Sequence, residues 1–413
     1  MSNSYMEPQR AIMLWLSGMR LADIRSLPEV VALLRHSALV ELDPLPITGP
    51  QAQHFEVFSG CSSASFGFFD TLMPYHYVIK EYLTGRGETP KLLPDRLRAA
   101  GWSVQYEETQ CSKLVKSIQH WAQRASTQES CLIVKCTADE TENIEPFLPE
   151  IVQALSYMQS WVGENGLLAV LSDRQPARVE RFVNLNNFLA EMGVMERDEK
   201  SNQINWSNSL AYFAGHGQLW LNLLGRDMHG IVHPQEEAEE VCDTLVKALP
   251  AKLRDPQTGR SVIERVYRKE ELYPGKYLFC APDLVVLFAP GYAPSPRSIL
   301  LDFDEEIFIA PVAGEYACAG VHPSLVGGFL LASAPPLAQS VTAPAHAPLT
   351  SVVPTLLYAL GVEDAGVEGS AIDSLFSPSY LEKHPLRSVT GDEGLSEEDE
   401  DLIINRLRDL GYV

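Results

Sequence analysis

Five residues of types that bind ions lie beside short apolar runs of the chain: Ser17, Asp139, Asp173, Arg174 and His322. Carboxylate oxygens and imidazole nitrogens are ligands for zinc or manganese. A guanidinium keeps its proton, repels a cation and binds phosphate or sulfate through paired N–H donors. These residue types therefore permit two kinds of site, one for a divalent metal and one for an anion.

The same residues are expected to share one edge of a β-sheet. The runs Ala11–Arg20, Cys131–Asp139, Gly166–Asp173 and Gly328–Ser333 are apolar without alternation, which is typical of strands buried on both faces of a parallel sheet. In such a sheet, ligands bind beyond the carboxyl ends of the strands. Strands that lie side by side would bring the five residues to one rim, with His322 contributed from just upstream of the last run.

The composition is that of an acidic globular protein. The 413 residues are 46% hydrophobic and 21% charged, and the formal net charge is −22. This balance opposes binding to nucleic acid or to an anionic membrane, because no excess of cations is present to displace counterions from phosphate groups. The seven cysteines contain no CxxC pair, which indicates reduced thiols. Because neither a signal peptide nor an apolar run of ~20 residues is found, we expect a cytoplasmic protein.

Strand-like and helix-like segments alternate along the chain. This order predicts an α/β fold, a three-layer α/β/α sandwich with a mostly parallel central sheet. Asn143–Val162 and Val179–Met192 have helical periodicity, and Tyr212–Leu224 is typical of a hairpin. We assign residues 1–380 to the α/β domain and residues 381–413 to an acidic tail with a terminal helix, since Ser396 and the acidic residues after it suit a helix start.

The order of these segments resembles the alkaline phosphatase superfamily, in particular its type I phosphodiesterase and nucleotide pyrophosphatase branch. LSGMR stands where that branch has a strand ending in Asp-Gly-x-Arg, and ITGP followed by FSG resembles its Thr-x-Pro…Thr-Gly nucleophile helix. CTADETEN corresponds to its Asp-x-x-x-His, LSDRQ to its Ser-Asp-His-Gly, and GVHP to its late metal-binding histidine. The closing NRLRDLGYV resembles a frequent ending in bacterial relatives. The resemblance covers nearly the whole chain and implies an alkaline phosphatase-like fold.

The resemblance also implies a metal centre in which some ligands are replaced. In that family two zinc-like ions about 4 Å apart stabilise the attacking and leaving oxygens of phosphoryl transfer. The first ion would be held by Asp139, Asn143 and His322. An asparagine amide is a weak zinc ligand where the family has a histidine, so this site keeps two good ligands.

The second ion would need Ser17, Asp173, Arg174 and the nucleophile hydroxyl. Only Asp173 is a good ligand, because Ser17 lacks a carboxylate and Arg174 repels a cation. The resemblance therefore implies that the second site is lost. At most one divalent metal, zinc or manganese, would be bound by Asp139, Asp173 and His322.

The nucleophile has two alternative placements. Thr48 matches the Thr-x-Pro pattern, but the stretch from there to Gly60 is two residues longer than in the family. An ungapped comparison back from Gly60 places Pro50, which has no hydroxyl, at the nucleophile position. Even a correctly placed Thr48 needs a metal or a base to activate it.

These replacements are compatible with a site that binds an anion. Arg174 in the volume of the lost ion would supply a fixed charge and a bidentate fork for phosphate or sulfate. Arg20 would add a second guanidinium if it points to the rim, and Ser17 and Asn143 are further candidates for substrate binding.

Two main hypotheses about function follow, and a third treats the protein as neither an enzyme nor a ligand-binding protein. The first is a diverged superfamily member with a cleft for a phosphate or sulfate ester but impaired two-metal hydrolysis, acting as a pseudoenzyme, as a subunit for a protein partner, or through remodelled chemistry. The second is an active metal-dependent phosphodiesterase, nucleotide pyrophosphatase or phosphatase that uses Thr48. The third is a scaffold without a ligand. His54, His216 and His229 are weaker candidates for cleft residues.

Overall fold

The computed structural model describes residues 8–25, 37–43, 49–70, 72–75, 78–81, 90–125, 130–137, 145–174, 177–198, 203–295, 306–311, 316–317, 322, 327–337, 347–363 and 366–386. The strands in this part of the chain are β1 (Arg10–Leu16), β2 (Ala38–Asp43), β3 (Leu72–Tyr75), β4 (Val78–Glu81), β5 (Ser103–Gln110), β6 (Ser130–Thr137), β7 (Leu167–Arg174), β8 (Ala177–Arg178), β9 (Arg181–Val183), β10 (Ala211–Ala214), β11 (Gln218–Leu221), β12 (Ile263–Arg268), β13 (Leu284–Phe288), β14 (Tyr292–Pro294), β15 (Phe308–Ile309), β16 (Tyr316–Ala317), β17 (Gly327–Ser333) and β18 (Ala347–Pro348). The helices are α1 (Leu21–Arg25), α2 (Pro50–Ser59), α3 (Ser63–Phe66), α4 (Leu93–Ala99), α5 (Leu114–Ala122), α6 (Leu148–Val162), α7 (Leu185–Glu191), α8 (Glu236–Lys252), α9 (Lys269–Leu272), α10 (Val352–Ala359) and α11 (Pro378–Lys383).

Strand β1 lies inside the larger sheet, whose strand order is β18-β2-β17-β7-β1-β6-β5. It pairs in parallel with β6 and β7, as expected. Met13 and Trp15 belong to a core shared with α2, α4 and α10 on one face. Leu14 and Leu16 belong to a core shared with α5 and α6 on the other face. The predicted α/β/α sandwich with a mostly parallel sheet is therefore confirmed.

Strand β17 runs in a direction that the sequence does not predict. It is antiparallel to both neighbours, β2 and β7, and Gly327 lies opposite Arg174. An apolar run buried on both faces has the same pattern in either direction, so direction could not be read from its residues. Gly328 permits the close pairing, because a Cβ there would lie 2.0 Å from the carbonyl oxygen of Ser172. The start of β17, rather than its end, therefore lies at the carboxyl end of β7.

A second sheet, of order β10-β11-β13-β12, is antiparallel. Its core includes residues of α7 and α8. The hairpin predicted for Tyr212–Leu224 is confirmed as β10 and β11. The single helix predicted for Val179–Met192 is wrong in its first part, because Arg181–Val183 pairs with β14 and β15 as strand β9.

Helix α10 has Pro354 as its third residue, where a missing N–H breaks no helical hydrogen bond. The predicted boundary at 380/381 falls inside α11, whose Tyr380 is buried. The predicted acidic tail and its terminal helix lie outside the described residues, so that division remains a prediction. Within the described ranges, no helix has both the length and the apolar character that a membrane crossing requires.

Candidate functional site

The carboxyl ends of β1 and β7 are joined by hydrogen bonds. Gly18 follows β1 with a φ of 85°, a value that favours glycine, and its N–H donates to the carbonyl oxygen of Arg174 at 3.1 Å. The Ser172 hydroxyl donates to the carbonyl oxygen of Met19 at 2.9 Å. This edge carries three predicted site residues, Ser17, Asp173 and Arg174.

Asp173 is a buried carboxylate whose two oxygens face different neighbours. Its side chain is 2% exposed. The indole N–H of Trp15 donates to Oδ1 at 3.0 Å. The guanidinium Nε of Arg174 lies 3.9 Å from Oδ2. The guanidinium thus offsets the buried negative charge, and the indole N–H satisfies one of the carboxylate oxygens.

The guanidinium of Arg174 has a hydrogen-bond donor unused by the described residues. Its side chain is 18% exposed, and its Nη1 atom is buried without a hydrogen-bond partner among the residues that the structure describes. An unsatisfied buried guanidinium N–H costs free energy. A phosphate or sulfate oxygen at this position would satisfy it, and the pairing would be charge-assisted.

His54 forms part of an aromatic stack beside this edge. His54 and Phe58 are one turn apart on α2, with ring centroids 5.0 Å apart, and both stack on Trp15 at 4.7 and 4.6 Å. Burial, and next to it the charge of Lys135, lower the pKa of His54 to about 4. The imidazole is therefore neutral near pH 7 and is packed between apolar rings.

Lys135 is a cation of this region that the sequence analysis did not single out. It is the β6 residue opposite Trp15, and its Nζ lies 5.7 Å from the centroid of that ring and 3.7 Å from Glu108. Lys135 and Arg174 lower the pKa of His54, and the carboxylates of Asp173 and Glu108 raise it, so charges of both signs act on this ring. The available signal was a single charged residue inside an otherwise apolar strand sequence, CLIVKCT.

Arg20 does not present an open guanidinium in this structure. Its Nε and Nη2 donate to the two carboxylate oxygens of Asp23 at 2.9 and 2.7 Å. The Arg20 side chain is 45% exposed. The bidentate ion pair faces solvent and competes with any anion, so a role for Arg20 at the rim remains a prediction.

His322 contacts the second sheet. Its Nε2 lies 3.2 Å from the carboxylate Oε2 of Glu264 on β12. The His322 side chain is 17% exposed. In this arrangement one imidazole nitrogen of His322 lies against a carboxylate from another element.

Three predicted site residues, Thr48, Asp139 and Asn143, lie outside the described residues. Their neighbours in sequence are described in part. Gly49 precedes α2, and its N–H donates to the carbonyl oxygen of Phe69 at 2.8 Å. The other nucleophile placement, Pro50, is the first residue of α2, where proline is favoured.

A buried carboxylate lies directly against Gly49. Asp70 is fully buried, and a Cβ on Gly49 would lie 2.3 Å from its Oδ1. His216 Nδ1 lies 2.8 Å from Asp70 Oδ2, and Gln218 Nε2 donates to the same oxygen at 3.2 Å. The His216 side chain is 32% exposed. The loop sequence gave no signal for Asp70, because its role depends on two elements far apart in the chain.

The residues of the second predicted metal site do not fit a divalent cation. The carboxylate of Asp173 accepts the indole N–H and lies beside Arg174, which would repel the ion. Over the described ranges, no cluster of three His, Cys, Asp or Glu side chains is arranged to hold a metal. The first predicted site depends on Asp139, so its fit stays a prediction.

Comparison of the sequence with known proteins gives no family assignment. No family model matches the chain, and no curated protein matches it either.

Comparison of the structure with solved structures shows a shared fold. Mouse ectonucleotide pyrophosphatase/phosphodiesterase 5, an inactive variant in complex with AMP, aligns with a TM-score of 0.56 and 13% identity, covering 89% of this chain and all of that one. The human protein of the same name aligns with a TM-score of 0.57, 13% identity and the same coverage. At this identity the likeness shows the alkaline phosphatase-like α/β fold, in agreement with the prediction from sequence.

Proposed function

We propose that this chain binds a phosphate-containing small molecule, a nucleotide such as AMP, at the carboxyl ends of β1 and β7, and that two-metal hydrolysis is impaired. The observation that carries the proposal is Arg174. Its guanidinium stands beside Asp173, and its Nη1 is buried without a described partner. AMP is present in one of the similar structures, which supports a nucleotide as the ligand.

The charges beside this edge are mixed. Arg174 and Lys135 lower the pKa of His54, whereas the carboxylates of Asp173 and Glu108 raise it. The preference for an anion therefore rests on Arg174, whose Nη1 is a buried donor without a described partner and whose guanidinium would repel a divalent ion. A protein partner and the cytoplasmic location remain predictions.

The binding proposal is tested by calorimetric titration of the full-length protein with AMP, and with adenosine as the matched ligand that lacks phosphate. Arg174→Gln is expected to weaken AMP binding roughly 10-fold to 100-fold, since hydrogen bonds to charged groups contribute ~1.5–3 kcal/mol. Arg174→Lys keeps the charge but loses the fork, so we expect an intermediate loss.

Arg98→Gln is the control, because Arg98 is exposed on α4 and pairs with Asp95. Equal AMP affinity of Arg174→Gln and wild type would contradict the proposed site. Metal analysis of the purified protein is independent of AMP: two equivalents of zinc or manganese per chain would overturn the impaired-hydrolysis part.

The second candidate function, an active phosphodiesterase or phosphatase that uses Thr48, is favoured by one observation. The imidazole of His216 is held by the buried Asp70, and Asp70 lies against Gly49, the residue after Thr48. A histidine oriented by a carboxylate is a common base for a hydroxyl nucleophile. Its test is turnover of a nitrophenyl phosphodiester: loss of activity in both Thr48→Ala and His216→Asn would favour this function, and no turnover by wild type would exclude that substrate.

A further inference from the structure

Two buried cysteines lie unusually close together beside the larger sheet. The sulfur atoms of Cys111 and Cys136 are 2.7 Å apart, and both residues have no exposed surface. Non-bonded carbon atoms pack at ~3.5–4.0 Å, and sulfur is larger than carbon. Two separate thiols at this distance are therefore inside ordinary contact, and a covalent bond would relieve the crowding.

The two sulfurs are brought together by strand pairing rather than by a loop. Cys136 is on β6 opposite Thr109 of β5. Cys111 follows β5 directly and opens the turn Cys111–Lys113, which leads into α5. Both side chains belong to the core between the sheet, α5 and α6. The backbone that positions them is fixed by the parallel ladder of β5 and β6.

We propose that Cys111 and Cys136 form a disulfide when the chain meets a low-molecular-weight disulfide such as oxidised glutathione. The bond would join the carboxyl ends of β5 and β6. Cys136 is followed by Thr137, the last residue of β6, so the bond fixes the strand end from which the segment with Asp139 and Asn143 continues.

The exchange is balanced in atoms and electrons. One cysteine thiolate attacks the glutathione disulfide, which forms a mixed disulfide and releases one glutathione thiol. The second cysteine thiolate then attacks the protein sulfur of the mixed disulfide and releases a second glutathione thiol. The two cysteines lose two electrons in total, the glutathione disulfide gains them, and the two protons leave on the released thiols.

Cys131 provides a matched control on the same strand. It is also buried, but it belongs to the core on the opposite face of the sheet, with α2 and α4. Burial raises the pKa of the Cys131 thiol to about 12, and its side chain lies in a different core cluster from Cys111 and Cys136. The proposal therefore requires a bond that includes Cys111 and Cys136 and leaves Cys131 reduced.

The test uses the full-length protein equilibrated in glutathione buffers from reducing to oxidising, which reach the buried thiols through transient opening. Free thiols are then alkylated in denaturant, and the peptides are identified by mass spectrometry. We expect a peptide pair joined through Cys111 and Cys136, about 2 Da lighter than the two thiol peptides together. Cys131 is expected to be alkylated in every buffer.

Variants give an independent readout. Wild type is expected to melt several degrees higher in the oxidising buffer than in the reducing one, because a cross-link restricts the unfolded chain. Cys131→Ala should keep this difference, and Cys111→Ser should lose it. Alkylation of both Cys111 and Cys136 in wild type after oxidation, or a cross-link through Cys131, would overturn the proposal.

Discussion

His54 and Glu56 are two positions apart on α2, where His54 is half-buried and Glu56 is fully buried, in different surroundings. His54 stacks on Trp15 beside the carboxyl ends of β1 and β7. Glu56 is 1% exposed, and its carboxylate accepts the N–H of Ser63 at the start of α3. Burial disfavours the charged form of each group. It therefore lowers the pKa of the histidine and raises that of the glutamate, and the two shifts have opposite consequences for stability.

Glu56→Gln is expected to stabilise the protein at alkaline pH. Burial raises the pKa of Glu56 to about 7, although hydrogen bonds from Ser63 act in the other direction. The folded protein thus holds a proton that the unfolded chain releases near pH 4.5. The free energy of unfolding falls as pH rises from about 4.5 to about 7, by an amount on the order of 3 kcal/mol.

Glutamine keeps an acceptor for the Ser63 N–H and cannot ionise. In urea unfolding, Glu56→Gln should therefore gain stability over wild type from pH 5 to pH 8. Glu191→Gln is the control, because Glu191 is exposed on α7. A constant difference between Glu56→Gln and wild type across this pH range would contradict the prediction.

His54→Phe is expected to remove a loss of stability in acid. The pKa of His54 is lowered to about 4, mainly by burial, so the unfolded chain takes up a proton before the folded one does. The contribution of this group is present above pH ~6.5 and is lost as pH falls towards pH ~4. Phenylalanine preserves the stack on Trp15 without titrating.

Unfolding in urea at pH 4.5 and pH 7 measures this effect. We expect a smaller loss of stability in acid for His54→Phe than for wild type, and no such change for His120→Phe, whose histidine is exposed on α5. Equal acid sensitivity of His54→Phe and wild type would show that the ring is hydrated.

At the scale of elements, the start of α2 packs against the loop that ends in Asp70. Gly49 precedes the helix with φ −67° and ψ 160°, which any residue adopts. What excludes a side chain is space, because a Cβ would lie 2.3 Å from Asp70 Oδ1 and 2.9 Å from its Cα. The position of α2 therefore depends on Gly49, which is required by the lack of space for a side chain and not by its backbone angles.

Gly49→Ala is expected to lower the free energy of unfolding by about 1–3 kcal/mol, the usual cost of overpacking. The displaced carboxylate would also disturb its hydrogen bond with His216. Urea unfolding measures the loss, and Gln51→Ala, at an exposed position of the same helix, is the control with a change within about 0.5 kcal/mol. Equal stability of Gly49→Ala and wild type would mean that the loop moves aside freely.

The elements themselves differed in how far they could be predicted. The buried strands β1, β6 and β7 were predicted because long apolar runs leave few alternatives. The direction of β17 and the strand β9 were not, because both depend on partners distant in sequence. The same limit applies to Asp70 and Lys135, whose roles arise only when separate elements meet.

At the scale of the whole molecule, the fold and the chemistry of the site are separable. The sheet and its helix layers align with the ectonucleotide pyrophosphatase/phosphodiesterase structures over most of the chain at 13% identity. Such a fold can host different functions. The order of segments was therefore enough to predict the architecture. The ligand depends on a few side chains at the rim, and three of those predicted, Thr48, Asp139 and Asn143, lie outside the described residues.

The opposing titrations of His54 and Glu56 also have a consequence for the intact protein. Between about pH 4.5 and pH 6.5, one group increases stability with rising pH and the other decreases it. Their contributions partly cancel in wild type. Between these pH values the free energy of unfolding should rise with pH in Glu56→Gln relative to wild type, and should fall with pH in His54→Phe relative to wild type.

Because β17 is antiparallel to β7, only a short length of chain separates a contact with the second sheet from the residue opposite Arg174. Its first residue, Gly327, lies opposite Arg174, and His322, five residues earlier in the sequence, contacts Glu264 of β12. Five residues of extended chain span at most about 17 Å. The contact between His322 and Glu264 therefore ties β12 of the second sheet to the larger sheet within that length of chain from the residue opposite Arg174.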